Sequence, residues 1–311
     1  MTRLVRNAWF VVGWNVLTIL LGALVRATHS GAGCGRSWPT CRGELVPELQ
    51  GATTIEFTHR VASGIALLLV AFLVISVWRS MPRPHPARRA AVWAGLAILG
   101  EALIGAAIVF YEWVEDDSSL ARAIAVPFHL VNTFLLLAAL TLTAWFLGGG
   151  GRLTRHGPAR RSLIAGAVAL ILIAATGSVT ALADTLFPSE SVREGLAAIG
   201  SPAAHFLSRL RVVHPVLAVT TVATAALATR WVRGPVLARI RTLLVLSLGQ
   251  MGLGVLTIAL GSPLWVRLLH LAVADAIWVS YVWLCAQTLS RSAASESIES
   301  TGARQAKPVH R

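Results

Sequence analysis

Residues 60–78 read RVASGIALLLVAFLVISVW, an unbroken apolar run whose one charge is the arginine that opens it. A bilayer core about 30 Å thick takes about 20 helical residues to cross, so the run has the length of a membrane span. Lipid offers no partner to backbone N–H and C=O groups, and a helix satisfies them within the segment. Seven further runs have the same character: 8–26, 91–110, 124–147, 162–183, 212–231, 242–261 and 268–289. The expected fold is therefore all-α and integral to the membrane, with eight transmembrane helices.

Composition agrees with that reading. The 311 residues are 55% hydrophobic and 13% charged, with a mean hydropathy of +0.68. A soluble domain of this size cannot hide so much apolar surface, whereas lipid removes the problem. The net charge of +13 raises nucleic acid as a partner, but the arginines form no patch. They recur in short clusters between apolar runs, so membrane lipid is the expected partner and nucleic acid is not.

The connections alternate. Segments 79–90, 148–161 and 230–241 hold Arg79, Arg83, Arg88 and Arg89; Arg152, Arg155, Arg160 and Arg161; and Arg230, Arg233, Arg239 and Arg241. Segment 111–122 sets Glu112, Glu115, Asp116 and Asp117 against one arginine. Arg3 and Arg6 precede the first run, and Arg291, Arg304, Lys307 and Arg311 follow the last. The positive-inside rule then places both termini in the cytoplasm of a cell-membrane protein. The first run exceeds a signal-peptide core and no small-residue cleavage site follows it, so it is expected to be retained. The tail 290–311 lacks apolar periodicity and is expected to be disordered.

An internal repeat is visible. Gly100-Glu101-Ala102-Leu103-Ile104-Gly105 is matched by Gly249-Gln250-Met251-Gly252-Leu253-Gly254, and Gly22, Val25 and Thr28 by Gly177 and Thr180. Two pseudo-symmetric four-helix bundles follow: an N-terminal half over 1–147, with an outer cysteine segment at 27–58, and a C-terminal half over 148–289.

His59, His129, His214 and His270 open the four even-numbered helices, all at one outer level. Neutral imidazole ligates haem iron, and two from facing helices fix one haem, so four allow one haem per half. Single interfacial histidines often reach only for headgroups, but four at matching repeat positions favour ligation. Zinc wants ligands converging from short spacings, and these lie 56 to 85 residues apart. His29, His85, His156, His205 and His310 fall in loops or the tail and read as solvated.

Glu56 stands three residues before His59 and shares its face, while Arg211 holds the matching place before His214. A carboxylate beside a reacting group moves protons and a guanidinium pairs with haem propionates, so chemistry is assigned to the first half and electron transfer to the second. A loop acid at a helix N-terminus is the plainer alternative for Glu56. Cys34 and Cys41 bracket a Gly- and Pro-containing turn facing an oxidising compartment, where a disulfide would be either a structural staple or a redox pair. Cys285 reads as a small buried hydrophobe. Glu101 and Asp275 lie inside spans, where ionisable groups are functional candidates, although Gln250 opposite Glu101 argues for an interhelical hydrogen bond.

Gly22-x-x-Val25-Arg26-x-Thr28-x-Ser30-Gly31, Cys34, Trp38-Pro39, Cys41, Pro47 and Ile55-Glu56-Phe57-Thr58-His59-Arg60 together resemble the haem A synthase family. The resemblance implies oxidation of a ring methyl of haem O to the formyl of haem A, for terminal oxidase assembly. It implies that His59 and His129 flank the substrate haem and that His214 and His270 ligate a permanent haem b. Glu56 then matches the catalytic acid, and Cys34 with Cys41 the outer cysteine pair. Arg26 and Arg60 are expected at the substrate propionates, and Arg211 or Arg267 at those of haem b. In many relatives arginine follows the helix-six histidine; here it is Pro215. An electron-transfer partner and a working complex with haem O synthase are further expectations. A di-haem electron carrier and a haem carrier without chemistry are the competing readings.

Overall fold

The computed structural model describes residues 2–153, 158–189, 191–232, 234 and 236–305. Arg155, His156, Arg233, Lys307, His310 and Arg311 therefore lie outside the described residues. The helices are α1 (Arg3–Ala27), α2 (Gly51–Ser80), α3 (Pro86–Phe110), α4 (Leu120–Leu147), α5 (Pro158–Leu186), α6 (Val192–Gly200), α7 (Phe206–Leu210), α8 (Val213–Ala228), α9 (Val236–Ala259) and α10 (Leu264–Gln305), with a 3-10 turn at Thr229–Trp231. Among the described residues, eight stretches are long and apolar enough to cross a membrane: α1 to α5, the broken span Phe206–Trp231, α9, and α10 as far as Ser290. The protein is a multi-pass all-α membrane protein.

Helix α1 packs on α2, α2 on α3, α3 on α4 and α4 back on α1; α5, α8, α9 and α10 close a second ring in the same order. The rings meet where α1 and α4 face α5 and α10. Exchanging each helix for its counterpart maps this set of contacts onto itself, a pattern compatible with two pseudo-symmetric bundles.

With no hydrophobic drive between helices in lipid, close packing and interhelical hydrogen bonds hold the seams. Trp14 Nε1 donates to the Ala62 carbonyl at 3.0 Å, joining α1 to α2. Trp278 Nε1 donates to the Phe134 carbonyl at 2.7 Å, joining α10 to α4, and the two rings stack. Tyr281 donates to the Leu163 carbonyl between α10 and α5.

Three boundaries differ from the sequence reading. Helix α2 starts at Gly51, so the cysteine loop covers 28–50 rather than 27–58. The polar residues before His59 are helical because their side chains have partners inside the protein. The span expected at 212–231 begins at Phe206 and breaks at 211–212, and the loop before it carries α6. Helix α10 continues to Gln305, past the end of the last apolar run at 289. Extending an existing helix needs no new nucleus, and this stretch has no proline and many helix formers.

Candidate functional site

His59, His129 and His270 sit inside their helices rather than opening them, whereas His214 opens α8, just past the break at 211–212. His59 is eight residues on from Gly51, His129 nine from Leu120, His214 eight from Phe206 and His270 six from Leu264. At about 1.5 Å per residue this sets the rings of His59, His129 and His270 roughly 9–14 Å below the start of their helices, at the end that carries the cysteine loop. Three rings lie over glycines of the neighbouring helix. A Cβ at Gly22 would stand 3.0 Å from His59 Cε1, one at Gly177 2.9 Å from His214 Cε1, and one at Gly254 3.4 Å from His270 Cε1. Gly22 and its repeat counterpart Gly177 are thus clearances for imidazoles, and Gly254 lies under a third.

In the second half the His214 and His270 ring centroids are 6.3 Å apart, with planes inclined at 76°. A ligating nitrogen sits about 2 Å from its metal and roughly 1.1 Å from its ring centre, so two axial imidazoles on one iron have centroids about 6.2 Å apart. His214 Nδ1 lies 2.9 Å from the Ile173 carbonyl, the partner that fixes a tautomer and leaves Nε2 free to ligate. Pro215 sits in the first turn of α8, where a proline is tolerated, and does not turn His214 away from His270. The separation of the pair is that of two imidazoles on one iron.

In the first half Glu56 is buried, 4% exposed, beneath the cysteine loop. The Cys34 amide donates to its Oε2 at 2.7 Å, and Arg60 pairs with its Oε1. Arg60 also donates to the carbonyls of Ser37 and Thr40. The guanidinium expected at a propionate is therefore turned upward, fastening the loop to the acid. A disulfide joins Cys34 and Cys41, both fully buried. The loop lies tight on α2: Thr53 Oγ1 donates to the Gly33 carbonyl at 2.8 Å, and a Cβ at Gly33 would stand 2.5 Å from the Ala52 carbonyl oxygen. Only glycine fits there.

Glu101 on α3 meets α4. Asn132 Nδ2 donates to its Oε1 at 2.5 Å, while Oε2 lies 2.9 Å from Thr133 Oγ1 and 3.2 Å from His129 Nδ1. The last distance suits a hydrogen bond, but the angle falls short of one. In the second half Gln250 Nε2 donates instead to the His270 carbonyl at 2.8 Å.

Among the outer arginines, Arg26 Nη1 is buried without a partner, and such a group calls for one. Arg267 donates to Thr185 Oγ1 at 2.7 Å. Arg211 is held by Asp184 at 2.9 Å, by Ser189 and by the carbonyls of Ala183 and Phe187. Each half thus has its own carboxylate–guanidinium pair. Asp184 escaped the sequence reading because an acid near a helix end reads as a headgroup contact. Asn132 and Thr133 escaped because single polar residues in a span usually serve packing. Asp275 is fully buried in α10, with neither carboxyl oxygen hydrogen-bonded.

Two loop histidines are not merely solvated. His85 accepts from the Ala87 amide to cap α3, and His205 caps α7 while stacking on Phe187. His29 stands near Asp116 at the surface. Cys285 is a half-buried free thiol.

Residues 6–282 match the family model of cytochrome oxidase assembly proteins. A protein of Thermus thermophilus named protoheme IX farnesyltransferase is 44% identical over 300 residues, which is 94% of this chain and 49% of that one. A protein of Lysinibacillus sphaericus named haem A synthase is 35% identical over 136 residues, covering 42% of this chain and 44% of its own. Another of that name, from Bacillus mycoides, is 35% identical over 142 residues, 45% of each chain. The chain spans about half the length of these curated relatives.

Proposed function

The chain belongs to the cytochrome oxidase assembly protein family, and on that premise we propose that it is a haem A synthase, oxidising a ring methyl of haem O to a formyl group. One observation carries the reading: a buried carboxylate, Glu56, stands three residues from a haem-type histidine in one half, while the other half offers a plain histidine pair at iron-spanning separation. The names of the Lysinibacillus and Bacillus relatives support it.

In this reading His59 and His129 flank the substrate haem. Converting methyl to formyl exchanges two hydrogens for an oxygen and passes four electrons to the electron-transfer partner; with water as the oxygen donor four protons are released, and Glu56 takes protons at its carboxylate. Arg60 and the Cys34 amide hold that carboxylate still and compensate its charge, which is the support a reacting group needs. Arg26, with its unpartnered Nη1, suits a propionate. In the second half His214 and His270 would hold haem b, which supplies one-electron redox capacity when bound. The arginine-rich connections support a cell-membrane location with both ends of the helical array on the cytoplasmic side.

The farnesyltransferase name of the Thermus relative concerns a protein twice as long, and its chemistry is not carried over. That a chain like this one makes up half of such a protein supports a working complex with haem O synthase. An electron-transfer partner remains part of the proposal.

The test is co-expression with a haem O synthase in a host lacking haem A, followed by extraction of the haems and identification by mass. Haem A is the expected product. An extract holding haem B and haem O alone, from protein that carries its haems, would overturn the assignment in favour of a carrier.

A further inference from the structure

Glu101 and Gln250 hold matching places in the repeat, and the two halves use them differently. In the second half the Gln250 amide is spent on the His270 backbone carbonyl, its Oε1 is buried without a partner, and the His270 ring packs over Gly254. In the first half the counterpart of that glycine, Gly105, has nothing within 4 Å of where a Cβ would stand. The His129 ring lies instead against a carboxylate, with Nδ1 3.2 Å from Glu101 Oε2.

That carboxylate is itself oriented. Asn132 Nδ2 donates to Oε1, and the Ala97 carbonyl accepts from the same amide at 2.9 Å. Thr133 Oγ1 lies between Glu101 Oε2 and the His129 carbonyl, at 2.9 and 3.0 Å, so its one proton serves either. The second torsion of a histidine is soft, so Nδ1–H and Oε2 at this distance can come into line by turning the ring.

We infer that Glu101 is the positioning residue of the substrate haem's ligand: it accepts Nδ1–H of His129, aims Nε2 at the iron and gives the ring anionic character. The inference rests on the reading above, in which His129 ligates the substrate haem. A carboxylate behind a metal-bound imidazole fixes its tautomer and raises its basicity. A more basic axial ligand favours ferric iron and lowers the reduction potential. Gln250, an amide turned to a backbone carbonyl, gives His270 no such push. Two haems, each between two histidines, are thereby split in potential, with the first-half haem the lower.

The experiment is a spectroelectrochemical titration of the purified full chain loaded with haem B in both sites, with His129→Ala used to identify the first-half wave. Glu101→Gln should move that wave to higher potential and leave the other in place, which also reports that the variant is folded. Glu101→Asp should recover part of the shift. If Glu101→Gln leaves the His129-dependent wave unmoved, Glu101 only packs and the inference fails alone. A shift of both waves together is a general disturbance and overturns it equally. If His129→Ala alters neither wave, the first-site reading itself falls and takes the inference with it.

Discussion

The Cys34 amide donates to Glu56 Oε2 at 2.7 Å, so the acid of α2 is held from above by the disulfide loop as well as from its own helix by Arg60. Cutting the disulfide should therefore be felt at the carboxylate. Cys34 and Cys41 are seven apart, and closing so short a loop is worth about 2–3 kcal/mol in the chain-entropy account. Replacing both with serine should lower thermal stability in detergent by that order and raise amide exchange at position 34. Unchanged exchange there would mean that Thr53, Arg42 and Arg60 hold the loop without the bridge.

Glu56→Gln and Arg60→Ala should behave differently although they break one pair. The glutamine keeps the shape and removes the charge, so haem should stay bound while haem A in the extract disappears. Arg60→Ala leaves a carboxylate buried with no counter-charge, a loss of about 3–5 kcal/mol in stability. Adding Glu56→Gln to Arg60→Ala should recover part of that stability but no activity. A double variant less stable than Arg60→Ala would show that the carbonyls of Ser37 and Thr40, rather than the charge pair, are what Arg60 serves.

Glycines under the histidines should rank by clearance. A Cβ at Gly177 would stand 2.9 Å from His214 Cε1, while that ring is fixed by its 2.9 Å contact to the Ile173 carbonyl. Gly177→Ala should therefore displace the ring and weaken haem retention. Gly254→Ala meets His270 at 3.4 Å, an ordinary contact, and should keep the haem. Haem-to-protein ratio and the Soret band of each variant decide this. Equal retention in both would remove the steric account of the repeat glycines.

The hydrophobic runs made the spans legible, because about 20 apolar residues have one economical use in a membrane protein. The histidines were legible as a set because the repeat aligned them. Their depth was not: hydropathy marks where lipid begins, and α2 runs nine residues beyond that point on polar side chains with internal partners. Arg60 is the clearest case of partial legibility. Its neighbour His59 suggested a propionate, but a guanidinium has enough donors to serve Glu56 and two loop carbonyls, and only packing shows which way it turns. Asp184 behind Arg211 was invisible for the same reason, since 27 residues separate them.

The seam between the halves gives the last expectation. Trp278 stacks on Phe134 with centroids 5.2 Å apart, and its Nε1 donates to the Phe134 backbone carbonyl at 2.7 Å. Trp278→Phe keeps an aromatic face and loses the hydrogen bond, which between membrane helices is worth about 0.6 kcal/mol and at most about 1.7. Trp278→Ala removes the stack as well and leaves a cavity where α10 crosses α4, a loss of about 3–5 kcal/mol. Because His129 and His270 ride on these two helices, the alanine variant should broaden the haem spectrum of both sites, while the phenylalanine variant leaves it sharp. Unfolding midpoints in detergent, read beside the absorption spectrum, check both parts. An alanine variant as stable as the parent would place the hold between the halves in the contacts of α4 with α5 and of α1 with α5 and α10 instead.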